Sequence, residues 1–388
     1  MKKIRVLFPY VEAGFGHIMP MRAMEDAFRK KYGDRVEIVS SAFFTESGDR
    51  RLAAYERMMS RFVRTSNRIP LIGLFLTRLD YIIGAWFSSL FIIRIISPRA
   101  YRRGVRHMRE LDCDAVFSTH WAPNYYAEHL EQKPLTVLYC PDAELNSLFS
   151  YHSDLTLLST QEGYEKALRK KRFQNGNLKL VPHLIRNEAF QTQTDKREIR
   201  QTLGLPQDRF TVLLCEGGYG IGRMKALCRR LIRVPYPLTV LAVCGKNEKL
   251  LRYLKTLTPA ENVTFVSCGF TEKILSYHAA SDVFCGKSGT IPAEATFFGN
   301  PTIVTGCASV IEEKIARHYV KSVGCAVKAF SARKAAKLLA LWAAEPSRMR
   351  PYQNAAQAYH NRFGSEEAAD LLWDALTARF GDRITRDE

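Results

Sequence analysis

The second half of the chain alternates short apolar runs with longer stretches in which apolar residues recur every three or four positions. The short runs predict strands and the longer periodic stretches predict helices. The predicted strands are Phe210–Cys215, Leu238–Cys244, Val263–Ser267, Asp282–Cys285 and Thr302–Val304. The predicted helices are Gly222–Arg233, Asn247–Thr256, Glu272–Ala280 and Pro292–Phe298. Strands that alternate with helices at this spacing predict a parallel, doubly wound sheet.

The first half begins with the same alternation and then changes character. Its predicted strands are Ile4–Pro9, Val36–Ser40, Val116–Thr119, Leu135–Cys140, Leu155–Ser159 and Lys179–Val181, and its predicted helices are Ile18–Lys31 and Gln161–Lys171. A length of 388 residues favours two domains. We therefore expect an α/β fold with two Rossmann-like, doubly wound domains facing a cleft. The expected boundaries are 1–186 for the first domain, 187–209 for a polar linker, 210–362 for the second domain and 363–388 for a C-terminal helix.

The segment from Ile69 to Arg109 interrupts the alternation. Its part Tyr81–Ile93 is apolar and uncharged, but thirteen residues are fewer than the roughly 20 that a membrane-spanning helix needs. An apolar stretch followed by arginines at helical spacing is typical of a protein that lies on an anionic bilayer. The alternative is a buried core helix followed by a solvated basic helix. The residues expected at the membrane are Tyr81, Trp86, Phe87, Arg99, Arg102, Arg103 and Arg106.

Charge and cysteine usage narrow the class of protein. The 57 basic and 39 acidic residues give a formal net charge of +18, which implies an anionic membrane surface, a nucleic acid or a phosphorylated substrate as partner. Nine cysteines occur without any Cys-x-x-Cys spacing, which favours small buried side chains in a reducing compartment over disulfides or zinc. The N-terminus lacks the pattern of a signal peptide, so we expect a cytoplasmic location.

The first candidate site is the glycine-bearing loop Ala13-Gly14-Phe15-Gly16-His17, which follows the first predicted strand. Gly14 and Gly16 permit a tight turn and let a substrate approach the backbone amides. A histidine in the first turn of the next helix can take a proton from an attacking hydroxyl group, and the positive helix end favours its neutral form. The alternative is that the glycines serve only the turn and that His17 is a capping or surface residue.

Two further glycine-rich loops follow predicted strands in the second half. Glu216-Gly217-Gly218-Tyr219-Gly220-Ile221-Gly222 lacks a clear G-x-G-x-x-G pattern, but its glycine density suits a phosphate as well as a flexible turn. In Gly286-Lys287-Ser288-Gly289-Thr290, the last three residues offer amides and hydroxyls to a diphosphate. Lys287 either adds positive charge or faces solvent. Glu294, four residues after Thr290, either accepts hydrogen bonds from ribose hydroxyls or is an exposed helix residue.

Several motifs together resemble one enzyme family. They are Ala13-Gly14-x-Gly16-His17, Val243-Cys244-Gly245-Lys246-Asn247, Gly269-Phe270-Thr271, Ser281-Asp282, Lys287-x-Gly289 and Glu294-Ala295 with Gly299-x-Pro301. They are similar to motifs of GT-B glycosyltransferases, in particular monogalactosyldiacylglycerol synthases and processive diacylglycerol glucosyltransferases. The lipid II-forming enzyme of peptidoglycan synthesis is related to this family. Two places depart from that family. Ser288-Gly289-Thr290 is closer to lipid A disaccharide synthases, and Ala316 replaces an expected asparagine after Glu312-Glu313.

The resemblance implies an inverting transfer of a hexose from a UDP-sugar to a membrane lipid of the diacylglycerol type. It implies His17 and Asp142 as catalytic residues and a C-terminal helix that packs on the first domain, which binds the acceptor. The residues implied for the UDP-sugar are Gly14, Gly16, Gly217, Gly218, Gly245, Phe270, Lys287, Ser288, Gly289, Thr290, Glu294, Glu312 and Glu313. No Asp-x-Asp cluster is present in a suggestive loop, so we expect neither a metal nor a cofactor.

We therefore expect a cytoplasmic enzyme that lies peripherally on the inner face of the cell membrane. Its expected partners are the UDP-sugar donor, the lipid acceptor and the anionic membrane surface. We do not expect a nucleic acid as partner. Two alternatives remain: a UDP-sugar 2-epimerase or hydrolase on the same scaffold, and a non-catalytic protein that binds nucleotide-sugars.

Overall fold

The computed structural model describes residues 3–12, 15–83, 98–146, 148–150 and 153–384. The chain divides into two compact units. The first contains residues 1–63, 75–187 and 363–388, and the second contains 64–74 and 188–362. Each unit is built on one parallel sheet of six strands, as the alternation in the sequence predicted.

The sheet of the first unit has the order β2-β1-β3-β4-β5-β6, with all neighbours parallel. Its strands are β1 (Arg5–Tyr10), β2 (Glu37–Ala42), β3 (Ala115–Ser118), β4 (Leu135–Cys140), β5 (Leu155–Leu158) and β6 (Leu178–Leu180). After β1 the chain adds β2 on one side and then returns to add β3 on the other side. The strand order thus reverses between β1 and β3, and ligands of open α/β sheets bind at such a switch point, beyond the carboxyl ends of the strands.

The helices of the first unit pack on both faces of its sheet. They are α1 (Phe15–Tyr32), α2 (Arg50–Arg68), α3 (Pro70–Ile83), α4 (Pro98–Glu110), α5 (Trp121–Ala127), α6 (Gln161–Leu168) and the C-terminal α16 (Glu366–Ile384), of which α2 and α3 also contribute residues 64–74 to the second unit. α16 packs on α1, where the rings of Tyr32 and Trp373 stack with centroids 4.4 Å apart. Asp370 of α16 accepts hydrogen bonds from Tyr32 and from Lys31.

The sheet of the second unit has the order β12-β11-β10-β7-β8-β9, again all parallel. Its strands are β7 (Phe210–Cys215), β8 (Leu238–Val243), β9 (Val263–Cys268), β10 (Val283–Lys287), β11 (Thr302–Gly306) and β12 (Ala326–Lys328). The chain adds β8 and β9 on one side of β7 and then places β10 on the other. The switch point therefore lies between β7 and β10, where both glycine-rich loops of this half begin.

The helices of the second unit surround this sheet. They are α7 (Asn187–Gln191), α8 (Lys196–Thr202), α9 (Met224–Leu231), α10 (Glu248–Leu254), α11 (Ile274–Ala280), α12 (Ile291–Phe297), α13 (Val310–Arg317), α14 (Ala332–Ala344) and α15 (Arg350–Ala358). The polar stretch 187–209 therefore contains two short helices that the sequence pattern did not predict. In α8 the buried Arg200 donates to Asp282 and to the carbonyl oxygen of Ala280, which fixes this stretch to the sheet.

Most of the cysteines are buried side chains of the two cores. Cys215, Cys268 and Cys285 lie in strands and Cys244 directly follows one. Six of the nine are buried, and all nine are free thiols. Burial raises the pKa of the Cys215 thiol to about 12, so this side chain acts as a small apolar core residue.

Candidate functional site

His17 lies at the switch point of the first unit. It belongs to the first turn of α1, which follows β1, and it contacts the loop that follows the neighbouring strand β3. Its Nδ1 is 2.8 Å from the carbonyl oxygen of Thr119, and the Thr119 hydroxyl donates to the carbonyl oxygen of His17 over 2.6 Å. The two residues therefore clamp the β1 and β3 loops together where a ligand of this fold class binds.

The hydrogen bond to Thr119 determines the tautomer of His17. A carbonyl oxygen can only accept, so Nδ1 carries the hydrogen and Nε2 carries the lone pair. Burial lowers the pKa of the half-buried His17 ring below its usual value, although the bond to Thr119 opposes the shift. At neutral pH the ring is therefore neutral with a basic Nε2, which is the form that a general base requires.

A second histidine, His120, lies beside His17, and the sequence analysis did not identify it. Its ring is buried and meets the ring of His17 edge to face, with centroids 5.1 Å apart. Its Nδ1 accepts a hydrogen bond from the backbone N–H of Ala122 and caps α5, so the neutral ring carries its hydrogen on Nε2. Burial lowers the pKa of His120 well below the usual value, and the neighbouring His17 lowers it further. Its position directly after the predicted strand Val116–Thr119 is the signal that could have revealed it.

Asp142 follows β4, the next strand of the sheet. Its carboxylate accepts a hydrogen bond of 3.1 Å from the side-chain amide of Asn146. The carbonyl oxygen of the Asn146 side chain accepts from the backbone of Phe149, whose ring stacks on His17 at 6.0 Å. Asp142 thus contributes to the loop that holds one wall of the His17 environment. Gly16 lies at the start of α1 beside His17, and Gly14 falls outside the described residues.

In the second unit, β7 and β10 approach each other closely at the switch point. A Cβ on Gly286 would lie 2.0 Å from the carbonyl oxygen of Cys215, so only glycine fits there. The carboxylate of the next residue, Glu216, is buried and accepts hydrogen bonds from the backbone N–H of Arg223 and the hydroxyl of Thr305. Burial raises the pKa of Glu216, whereas these hydrogen bonds and nearby Lys287 oppose the rise. Glu216 therefore ties the loop after β7 to strand β11.

The glycines after β7 and β8 form one interlocked structure. Lys246 donates its backbone N–H to the carbonyl oxygen of Gly218 over 2.8 Å. Gly245 has a φ of +54°, and a Cβ there would lie 2.4 Å from the same oxygen. Gly217 also has a positive φ, of +78°. The three glycines expected at the donor, Gly217, Gly218 and Gly245, are thus brought together by the fold.

Lys287 has two partners within its own unit. Its ammonium group donates to Glu312, over 2.6 Å, and to the side-chain oxygen of Asn67. Glu312 also accepts the backbone N–H of Ala308. Asn67 belongs to residues 64–74 and is separated from Lys287 by 220 positions, so the sequence carried no signal for this contact. Glu312 therefore holds Lys287 in place through its carboxylate oxygen Oε1.

The residues of the Ser288–Thr290 loop differ in what they offer a ligand. Both donors of buried Ser288 are used within the protein: its N–H bonds to Gly306 and its hydroxyl to the carbonyl oxygen of Glu312. Within the described part of the chain, no backbone carbonyl oxygen in the loops accepts a hydrogen bond from the N–H of Gly289 or Thr290. The loop therefore presents these two amides at the start of α12, and Ser288 anchors it.

Glu294 and the remaining donor candidates lie around the same loops. Glu294 is in the first turn of α12, and its carboxylate is 3.7 Å from Nε2 of the buried His278. Glu313 is in the first turn of α13, beside Glu312. Phe270 follows β9 and is 58% exposed. All of these positions lie beyond the carboxyl ends of strands of the second sheet.

The arginine row expected at a membrane forms one face of α4. Its outward side chains are exposed, whereas Ala100, Gly104 and Met108 are buried on the opposite face. Arg103 also pairs with Asp49 at 2.5 Å. Trp86, Phe87 and the side chain of Tyr81 fall outside the described residues. Among the helices that the structure describes, none combines the length and apolarity needed to cross a bilayer.

Comparison with known proteins supports the resemblance seen in the motifs. No family model matches the chain. It is 27% identical over 219 residues to monogalactosyldiacylglycerol synthase 1 of Arabidopsis thaliana, covering 54% of this chain and 37% of that protein. It is 24% identical over 362 residues to a probable monogalactosyldiacylglycerol synthase 2 of Oryza sativa subsp. japonica, covering 87% and 73%. A processive diacylglycerol beta-glucosyltransferase of Bacillus pumilus is 27% identical over 140 residues, covering 36% of each chain. The chain thus spans little more than a third of the Arabidopsis relative, while these names confirm the similarity to that family.

Solved structures establish the fold. MurG of Acinetobacter baumannii superposes with a TM-score of 0.58 at 14% identity, covering 96% of this chain and all of that one. The calicheamicin glycosyltransferase CalG4 superposes with a TM-score of 0.58 at 11% identity, covering 98% of this chain and all of that one. The UDP-GlcNAc 2-epimerase of Neisseria meningitidis, bound to UDP-GlcNAc, superposes with a TM-score of 0.55 at 13% identity, covering 97% of this chain and all of that one. The chain therefore has the GT-B fold of two Rossmann-like units.

Proposed function

We propose that this protein is an inverting glycosyltransferase that moves a hexose from a UDP-sugar to a hydroxyl group of a membrane lipid of the diacylglycerol type. The observation that carries this proposal is His17: a neutral histidine at a switch point, with Nδ1 engaged and Nε2 available as a base. The names of the relatives supply the class of reaction and acceptor. The first domain, 1–186, would bind the acceptor, and the second, 210–362, would bind the donor.

In the proposed reaction, Nε2 of His17 takes the proton from the acceptor hydroxyl. The acceptor oxygen attacks C1 of the sugar, and the bond between C1 and the diphosphate oxygen breaks, so that UDP leaves with the electron pair. Attack on the side opposite the leaving group inverts the configuration at C1. Asp142 would support the loop around the base through Asn146 and Phe149.

The departing diphosphate carries negative charge that the second domain would stabilise. Backbone amides of Gly218, Gly289 and Thr290 and the ammonium group of Lys287 are the groups suited to this task. Glu294 would accept hydrogen bonds from the ribose hydroxyls, and Phe270 would stack on the donor. Glu312 and Glu313 would lie beside the sugar, with Glu312 also fixing Lys287.

The exposed arginines of α4 support a peripheral position on the inner, anionic face of the cell membrane. The acceptor would then reach the enzyme from the bilayer. Arg99, Arg102, Arg103 and Arg106 are the described residues proposed for this contact, together with Tyr81, Trp86 and Phe87.

Calorimetric titration with UDP, without added metal, tests the donor site. We expect micromolar binding to the native protein and at least a tenfold loss in Glu294→Ala, because a carboxylate that accepts hydrogen bonds from two hydroxyl groups contributes more than 1.4 kcal/mol. Glu261→Ala, on the loop before β9, serves as the control and should bind like the native protein. Absence of UDP binding to the native protein would reject the proposal.

A 2-epimerase is the second candidate, because an epimerase bound to UDP-GlcNAc shares the fold. Incubation of UDP-sugars with dispersed diacylglycerol separates the two. A glycosyltransferase releases UDP only when the lipid is present, whereas an epimerase changes the configuration of the donor without lipid.

A further inference from the structure

The glycine-rich loop 217–222 of the second unit closes on the buried carboxylate of Glu216. This residue directly follows β7 and is 4% exposed. Its Oε1 accepts the backbone N–H of Arg223, at the far end of the loop, over 3.0 Å. A Cβ on Gly222 would lie 2.1 Å from Oε2, so the backbone of the loop passes directly over the carboxylate. One side chain therefore joins the two ends of the loop.

The same carboxylate oxygen ties the loop to the end of β11. Oε1 accepts the hydroxyl of Thr305 over 3.1 Å, and the guanidinium Nε of Arg223 donates to the carbonyl oxygen of Thr305, also over 3.1 Å. The next residue, Gly306, accepts the backbone N–H of Ser288 over 3.0 Å. The end of β11 is thus a shared anchor for two loops, the one after β7 and the one after β10.

The segment after β8 holds the middle of the glycine-rich loop. The carbonyl oxygen of Gly218 accepts the backbone N–H of Lys246 over 2.8 Å. The carbonyl oxygen of Gly220 accepts the side-chain amide of Asn247, also over 2.8 Å. These two bonds engage carbonyl oxygens, so they fix the loop without using the N–H groups that suit a phosphate.

We propose that Glu216 is the positioning residue of this loop: by joining Arg223 and Thr305 it keeps the loop amides where they and the Ser288–Thr290 loop bind one diphosphate. The link to the diphosphate rests on the proposed function, whereas the anchoring of the loop does not. The carboxylate lies under Gly222, so its effect on a ligand passes through the backbone. Amides that are already in place bind an anion without a further cost of ordering the loop.

The hydrogen bonds and the charge of Glu216 have opposite effects on an anionic ligand. The hydrogen bonds order the loop, whereas the negative charge repels a diphosphate and is partly compensated by the nearby ammonium group of Lys287. Glutamine keeps an acceptor oxygen in the place of Oε1 and removes the charge, and leucine removes both. Glu216→Gln should therefore bind UDP at least as tightly as the native protein, and Glu216→Leu should lose affinity.

Calorimetric titration with UDP and with UMP, which lacks the second phosphate, tests the proposal. Glu216→Leu should weaken UDP binding roughly tenfold or more, because a lost hydrogen bond to a charged group costs at least that much. It should weaken UMP binding less than about threefold, because the ribose contacts remain. A general loosening of the second unit would weaken both ligands equally.

The hydroxyl of Thr305 offers a matched pair of smaller changes. Thr305→Val removes one of the two bonds at Oε1 and should weaken UDP binding about threefold, with no further loss in the Glu216→Leu background. Thr211→Val is the control. Thr211 is also buried and its hydroxyl donates to the carbonyl oxygen of Arg209 over 3.1 Å, but it lies near the beginning of β7. This control should bind UDP like the native protein.

Hydrogen exchange in the absence of nucleotide measures the anchoring itself. The amide of Arg223 should exchange at least about tenfold faster in Glu216→Leu than in the native protein or in Glu216→Gln. Circular dichroism establishes that each variant is folded, and Thr305→Val gives the same readouts should Glu216→Leu not fold.

Three results overturn the proposal: native exchange rates in Glu216→Leu, equal losses of UDP and UMP binding, or a loss in Glu216→Gln as large as in Glu216→Leu. The two hypotheses also fail separately. Faster exchange in Glu216→Leu, with no UDP binding to the native protein, rejects the proposed function and keeps the anchoring. UDP binding that Glu216→Leu leaves intact rejects the role of Glu216 alone.

Discussion

At the scale of single residues, His17 is the side chain on which the proposed chemistry depends. Replacing it by alanine removes the Nε2 lone pair that the first unit presents where the β1 and β3 loops meet. We expect kcat to fall by about 10²–10⁴, the usual contribution of a general base. The dissociation constant of UDP should stay within a factor of two, because the groups proposed to hold the diphosphate and the ribose belong to the second unit. Radiolabelled transfer and calorimetric UDP titration measure the two quantities.

A matched control for this substitution is His129→Ala. The ring of His129 also donates from Nδ1 to a backbone carbonyl oxygen, that of Tyr125, over 2.7 Å. It lies after α5 and not in the β1 or β3 loops. Its replacement should leave kcat nearly unchanged. Equal losses in the two variants would mean that histidine removal damages the fold and that His17 has no special role.

The lowered pKa of His17 predicts the pH dependence of transfer. Burial is the main cause, and it favours the neutral ring. The base is active when neutral, so kcat/KM should rise with pH through a pKa below 6.5 and then remain constant through neutral pH. A profile from pH 5 to 8 with a soluble acceptor measures it. A rising limb centred above pH 7 would contradict the assignment of His17 as the base.

How far the sequence could predict single residues depends on how local their partners are. His17 and Glu294 were chosen as candidates from the sequence because each lies where a strand, a loop and a helix follow one another within a few positions. Ser288 was expected to face a diphosphate, yet its donors bond to Gly306 and Glu312. Asn67 reaches Lys287 from 220 positions away. Such contacts depend on the folded arrangement, which a periodic pattern does not encode.

At the scale of elements, the close approach of β7 and β10 makes Gly286 a sensitive position. A methyl group there would meet the backbone of Cys215 at 2.0 Å, and the two paired strands would have to separate. Gly286→Ala should lower the free energy of unfolding by roughly 1–3 kcal/mol, the usual cost of overpacking. Chemical denaturation measures it.

Gly306 provides the control for Gly286. It ends the neighbouring strand β11, and a Cβ there would have nothing within 4 Å. Gly306→Ala should therefore change the free energy of unfolding by less than about 0.5 kcal/mol. If both substitutions destabilise equally, the loss reflects alanine in the strand end and not the contact with Cys215.

Elements were predictable where the apolar period is unambiguous. Buried parallel strands are continuous apolar runs, so the predicted strands such as Phe210–Cys215 agree with the structure. The helices α2 and α3 were not predicted, because their outward faces carry apolar residues among arginines and so blur the contrast between buried and exposed positions.

At the scale of the whole molecule, both units share one arrangement: a parallel sheet whose strand order reverses, with the candidate functional loops at the reversal. In the first unit the reversal joins His17 to Thr119, and in the second it brings Gly286 of β10 against Cys215 at the end of β7. The alternation of elements predicted the sheets. It could not predict strand order, because order depends on which face each connecting helix covers.

Three histidines of the first unit make the stability of the protein depend on pH. Burial lowers the pKa of His17, His107 and His120. In the unfolded chain these groups bind protons near pH 6.5, whereas in the folded chain they bind them only at lower pH. Between these values the unfolded state holds more protons, so stability is complete above about pH 6.5 and is lost as pH falls towards the folded pKa values. Thermal unfolding at pH 7.5 and 5.5 should show a clear drop in Tm.

His120→Asn isolates one of these groups without removing its structural role. Asparagine at a helix N-cap accepts a backbone N–H through its side-chain oxygen, so it can replace the bond that Nδ1 of His120 accepts from Ala122. The variant cannot gain a proton at this position, and its Tm should therefore fall less than that of the native protein between pH 7.5 and 5.5. If the two Tm values fall in parallel, then His120 takes up no proton on unfolding, and the loss of stability at low pH comes from the other two histidines.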